Sequence, residues 1–309
     1  MSATLKTPVA FIIFNRPETT ARVFAEIAKA RPSKLLLIAD GPRADRPGES
    51  EKCAATRAVV EKVDWDCEVL RNFSEVNLGC GSRPASGINW VFQNVDEAII
   101  IEDDCLPHPT FFRFCDELLA RYRDDERIMM ISGNNFQDGK KRTSESYYFS
   151  RYAHTWGWAT WRRAWQLYDF EIKLWPQLRE TLWLLDTLGD EESAAYWRAT
   201  FDGLSKTPDV WDYQWTFTCW AQNCLAILPN ANLVSNIGWG EDATHTTDWN
   251  NSAANLPTEP MQFPLNHPAY MVRNREADDF SFQNHFGGRA PTLSRRLRGK
   301  VKSLLSKLG

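Results

Sequence analysis

Apolar residues follow two patterns along the first third of the chain. VAFIIF (9–14), KLLLIA (34–39) and AIIIE (98–102) are continuous runs without alternation. Such runs are expected of strands buried on both faces of a parallel sheet. Between them, ETTARVFAEIAKA (18–30) spaces Val23, Phe24 and Ile27 at helical intervals, and Pro32 follows its end. A polar helix is predicted over 51–63, then a short third strand over CEVLRNF (67–73). Strand–helix–strand succession at this spacing predicts βαβ units with right-handed crossovers, and so an α/β fold with a mostly parallel central sheet flanked by helices. Open sheets of this kind bind ligands beyond the carboxyl ends of their strands. Asn15-Arg16, Asp40 and Glu102-Asp103-Asp104 follow three of the predicted strands, so they are expected on one rim.

The third run ends unusually, in IIIEDDCLPHPTFF (99–112). Three adjacent acids at the end of a buried strand repel one another, and each desolvated carboxylate costs several kcal/mol unless a cation compensates it. A hard divalent cation takes carboxylate oxygens and leaves positions open for substrate phosphates. The string therefore suggests a metal held against a diphosphate, where it would neutralise charge developing on a phosphate leaving group.

Composition changes the picture in the second half. Of 14 tryptophans, 12 lie between Trp156 and Trp249, in pieces such as HTWGWATWRRAW and VWDYQWTFTCWAQN. Most are expected to be aromatic core, with a few free to stack on sugar rings. From Arg289 onward the chain has seven basic residues and no acid, so the formal charge of −4 leaves −11 for the body. Leu293, Leu297, Val301, Leu304, Leu305 and Leu308 trace one face of a C-terminal amphipathic helix in that segment, which predicts either a docked terminal helix or attachment to an anionic membrane surface. The acidic body makes nucleic acid an unexpected partner. At 43% apolar and 25% charged residues the chain reads as an ordinary globular protein. Its seven cysteines contain no CxxC pair, which predicts reduced thiols rather than a disulfide framework or a zinc site. The opening MSATLKTPVAFIIF shows no secretory leader pattern, and no apolar run reaches membrane-spanning length, so a cytoplasmic location is expected.

AIIIEDDCLPHPTFFRFCDELL resembles the metal-binding segment of glycosyltransferases of the GT-A (Rossmann-like) fold, most nearly N-acetylglucosaminyltransferase I and its family 13 relatives. TWGWATWRRAW resembles that family's acceptor-side stretch. VWDYQWTFTCWAQNCLAILPNANLVSNIGWGEDATHT resembles its Trp–Asp helix, the strand after it and a glycine turn, with Trp211-Asp212-Tyr213-Gln214-Trp215 standing where the animal enzymes have W-D-D-W. The pieces cover roughly 8–247, and the chain is also similar to bacterial family 2-type transferases of surface-polysaccharide pathways. The resemblance implies one domain over 1–288, with a nucleotide-sugar-binding half (1–135) and an acceptor-binding half (136–288), before the tail at 289–309.

It also implies roles. Asp104 would coordinate Mn2+ or Mg2+ on the donor diphosphate, with His245 added to the metal shell. Asp103 would lie near the donor ribose, and Glu102 would hold the loop or the donor sugar. Asp40 would accept a hydrogen bond from the nucleobase. Asn15 and Arg16 would line the nucleotide pocket, and Arg83 would reach the pyrophosphate. Asp212 would be the base of an inverting transfer to a glycan or lipid-linked glycan at the inner face of the cytoplasmic membrane. Two alternatives stand beside this: nucleotidyl transfer, against which the glycine-free FIIFNRPETT counts, and a degenerate domain that binds a nucleotide-sugar without turnover.

Overall fold

The computed structural model describes residues 4–239 and 254–286. His245 and the basic tail from Arg289 lie outside the described residues.

Eight strands form one sheet in the order β3-β2-β1-β4-β8-β6-β9-β7. They are β1 (Val9–Ile13), β2 (Lys34–Ala39), β3 (Glu68–Phe73), β4 (Glu97–Glu102), β6 (Ile128–Ser132), β7 (Tyr147–Ser150), β8 (Trp158–Trp161) and β9 (Leu225–Pro229). β5 (Cys105–Pro107) and β10 (Val234–Asn236) pair separately as an antiparallel ribbon. The helices are α1 (Pro17–Ala30), α2 (Glu49–Val60), α3 (Gly79–Asn94), α4 (Thr110–Arg121), α5 (Arg162–Trp165), α6 (Trp175–Leu178), α7 (Trp183–Leu188), α8 (Glu191–Leu204), α9 (Asp212–Ala221) and α10 (Arg275–Ser281), which runs into a π-helical turn at Phe282–Phe286.

The sheet is mixed. β1, β2, β3 and β4 run parallel, and β6 and β9 share their direction, while β8 and β7 are reversed. The α/β fold and the parallel β1–β4 core thus follow the expectation from the apolar runs. Within those runs side chains alternate between faces, because the strand period is two. Val9, Phe11, Leu35, Leu37, Ile99 and Ile101 face α1 and α4, while Ala10, Ile12, Leu36, Ile38 and Ile100 face α3 and the tryptophan-rich half. Seven tryptophans between Trp158 and Trp220 are buried on this second face, and Trp161 on the first, so the aromatic segment is chiefly core, as its composition suggested. All seven cysteines are free thiols, five of them buried.

Two features set the stage for function. The chain runs β1, β2, β3 outward in one direction and then returns to place β4 on the other side of β1. The reversal makes a topological switch point, with a crevice between the carboxyl ends of β1 and β4. The registers bring those ends level, with Ile13 opposite Ala39 and Ile12 opposite Glu102. No helix among the described residues is long and apolar enough to cross a membrane.

Candidate active site

At the switch point the loops after β1 and β4 are bonded to each other. The Phe14 backbone N–H donates to Asp103 Oδ2 at 3.0 Å. Arg16 Nη1 donates to Asp104 Oδ2 at 2.8 Å and lies 3.7 Å from Asp103 Oδ1. Asp103 is buried, while Arg16, Glu102 and Asp104 are half-buried. Burial, and then the neighbouring Asp104 carboxylate, push Asp103 up to about 7, against the pull of Arg16 and the Phe14 N–H. Glu102 is raised well above the carboxylate range by desolvation first, then by Asp104, Asp103 and Asp212. That last contribution shows that Asp212, from the far half of the chain, shares the same electric field.

Asp212 is the first residue of α9. Its position is fixed from both sides. Trp211 stacks on Trp158 with ring centroids 5.6 Å apart, and the Tyr168 hydroxyl donates to the Trp211 carbonyl at 3.0 Å. The preceding loop rests on the start of α3, where a Cβ on Gly81 would come within 2.9 Å of the Asp209 backbone. Only a glycine lets α3 and this loop approach so closely.

A third segment closes over the acids. The β5–β10 ribbon brings Ile237 to donate its N–H to the Asp104 carbonyl at 2.8 Å. A Cβ on Gly238 would lie 2.2 Å from Asp104 Oδ2, so the backbone there sits directly on the carboxylate.

Asp40 and Arg83 lie near this rim with their polar atoms engaged inside the protein. Asp40 accepts from the N–H groups of Gly41, Leu78 and Gly79 and from Asn77 Nδ2, all between 2.9 and 3.1 Å. It ties the end of β2 to the start of α3. Burial raises its affinity for a proton, while these backbone donors oppose the shift. Arg83, on α3, is buried, donates Nε to the Ala39 carbonyl at 3.1 Å, and donates Nη2 to the carbonyl and side chain of Asn72. It clamps the ends of β2 and β3, its guanidinium turned into the protein. Asn15 bonds Glu49 of α2, a residue that sequence patterning passed over because an acid beginning a polar helix looks like ordinary surface. Gly238 and Gly81 were equally silent, since a close approach leaves no periodic signal.

The structure therefore gathers Arg16, Glu102, Asp103 and Asp104 at the switch point beside Asn15, with Asp212 near enough to act electrostatically on Glu102. Four carboxylates against one guanidinium give this group a formal charge of −3, favourable to a cation. Among the described residues no three His, Cys, Asp or Glu side chains are arranged to cage a metal. The donor set fits a hard cation bound by one or two carboxylates and completed by substrate phosphates and water, the mode Mg2+ prefers.

No family model and no curated protein matches this chain. Among solved structures it is similar to the mannosyltransferase PcManGT from Pyrobaculum calidifontis in complex with GDP-Man and Mn2+, at 14% identity and a TM-score of 0.37. The match covers 74% of this chain and 58% of that one, so the chain spans less than two thirds of the neighbour's length.

The contact at Gly238 gives a direct test of how closely this cleft is built. Gly238→Ala must displace Asp104 or the ribbon, and should cost about 1–3 kcal/mol in chemical denaturation, the scale of overpacking. Gly203→Ala, in α8 where an added Cβ meets nothing within 4 Å, should be neutral or stabilising by up to about 1 kcal/mol. Equal stabilities for the two variants would mean that the Gly238 backbone does not rest on Asp104.

Proposed function

We propose that this chain is a metal-dependent glycosyltransferase of the GT-A type, moving a sugar from a nucleoside-diphosphate sugar to a hydroxyl acceptor with inversion. The observation that carries the reading is the convergence, at the switch point, of Asp103, Asp104 and Arg16 with Asp212 of α9. The strand-end carboxylates suit a cation that binds the donor diphosphate; Mn2+ or Mg2+, when bound there, would neutralise charge on the leaving group. Asp104 and Asp103 would hold it, and Asn15 and Arg16 would line the nucleotide pocket. Asp40 and Arg83 would shape that pocket by fixing the loops around it. Glu102, from the same strand end, would hold the loop or the donor sugar. Asp212 would face the same site from the opposite half of the chain. There it would take the proton of the acceptor hydroxyl as that oxygen attacks the anomeric carbon from the side away from the diphosphate.

The acceptor we infer is a glycan or lipid-linked glycan, reached from the inner membrane face. The support is the tail's seven cations and leucine stripe, each cation near an anionic surface being worth about 1 kcal/mol. The full chain should sediment with anionic vesicles and be released by salt, whereas a chain ending at Gly288 should stay in the supernatant. Sedimentation of neither would remove the membrane assignment.

The chemistry is tested at Asp212. Asp212→Asn is nearly isosteric and should leave nucleotide-sugar affinity unchanged, while nucleoside-diphosphate release from a panel of UDP-, GDP- and dTDP-sugars falls about 10²-fold or more, the scale of losing a positioned base. Turnover at the wild-type rate would take the base away from Asp212.

A further inference from the structure

The Asn15 amide has a donor end and an acceptor end, and its surroundings fix which is which. Its Nδ2 donates to Glu49 Oε1 at 3.0 Å, while among the described residues nothing donates to its Oδ1. Glu49 is 4% exposed at the start of α2. Arg43 grips it from the β2–α2 loop. The Arg43 backbone N–H donates to Oε2 at 2.6 Å, its Nε lies 3.0 Å from both carboxylate oxygens, and its Nη2 donates to Oε1. The Arg43 hydrogen bonds hold Glu49 below the usual carboxylate range. At neutral pH both its oxygens are thus acceptors only. An acceptor-only partner admits one orientation of the neighbouring amide, nitrogen inward and carbonyl oxygen outward.

The outward oxygen stands immediately after β1, one residue before the arginine that bridges Asp103 and Asp104. At the next strand end the Asp40 oxygens are already filled by Gly41, Asn77, Leu78 and Gly79. Asn15 therefore presents an acceptor with an open lone pair, whereas the Asp40 carboxylate at the neighbouring strand end is occupied. We propose that Asn15 Oδ1 reads the donor's base, accepting from the imino N–H of uracil, thymine or guanine, with Arg43 and Glu49 as positioning residues that set the amide's orientation. This rests on the nucleotide-sugar reading above and adds to it the residue that selects the base.

Glu49→Gln tests the orientation itself. The glutamine carbonyl stays with Arg43, its NH2 faces Asn15, and the Asn15 amide must turn, offering a donor where it offered an acceptor. By calorimetry with Mn2+, the wild type should bind UDP or GDP at least about tenfold tighter than N3-methyl-UDP or N1-methyl-GDP, the scale of losing one well-placed hydrogen bond in a dry site. In Glu49→Gln the parent nucleotide should weaken by a similar factor, with the methylated analogue unchanged and so reporting an intact fold. Asn15→Ala should show the same loss while sparing the Arg43–Glu49 clamp. A parent-to-analogue ratio that is near one in the wild type, or that survives both substitutions, overturns this inference alone. No binding of any nucleoside diphosphate by the wild type overturns it together with the nucleotide-sugar reading.

Discussion

Everything in the cleft depends on how the chain tolerates three adjacent carboxylates at the end of a buried strand. Left alone, Glu102, Asp103 and Asp104 would repel one another in a partly desolvated site, at several kcal/mol per uncompensated charge. Two groups from the strand beside them answer that cost. The Phe14 N–H bonds Asp103, and Arg16 bridges Asp103 and Asp104. Both come from the loop after β1, and that loop can reach the acids only because β1 and β4 are parallel neighbours whose ends lie level. The strand order is thus what makes the acidic sequence possible.

Compensation is nevertheless incomplete, which separates this arrangement from a structural ion pair. One guanidinium serves several acids, and Asp103 and Glu102 both hold protons more tightly than free carboxyls do. Perturbations of this kind concentrate where a site is built for a charged ligand. Around the cluster the backbone is brought unusually close, by Gly238 over Asp104 and by Gly81 beneath the loop that leads to Asp212. The aromatic half of the chain serves the same end. Its buried tryptophans form the platform that holds α9, and so Asp212, against the sheet.

Much of this was legible in the residues. Continuous apolar runs marked β1, β2 and β4, their polar ends marked the rim, and the E-D-D string marked its charged centre. Periodicity gave α1 closely and α2 with its start two residues late, since Pro47-Gly48 precedes a first turn of polar residues without an apolar stripe. α3 left little trace. GCGSRPASGINWVFQN carries three glycines and an internal proline, yet folds as a helix because tertiary contacts decide it: Gly81 admits the Asp209 loop and Gly87 admits Ile38. Asp40 was legible as a polar residue at a strand end and Arg83 only through the resemblance, but not the direction in which either bonds. Whether a guanidinium turns to solvent or clamps two carbonyls is settled by three-dimensional neighbours, and the same holds for the Arg43–Glu49–Asn15 chain of contacts.

The central claim is that the strand-end carboxylates form a cation-assisted diphosphate site. Calorimetric titration of UDP and GDP into the protein, in Mn2+ and in EDTA, addresses it directly when run on the wild type and on Asp104→Ala. The account predicts binding of at least one nucleotide that weakens by about tenfold or more, roughly 1.4 kcal/mol, both on chelation and in the variant. Affinity that is the same with and without metal, and untouched by loss of the Asp104 carboxylate, would contradict it.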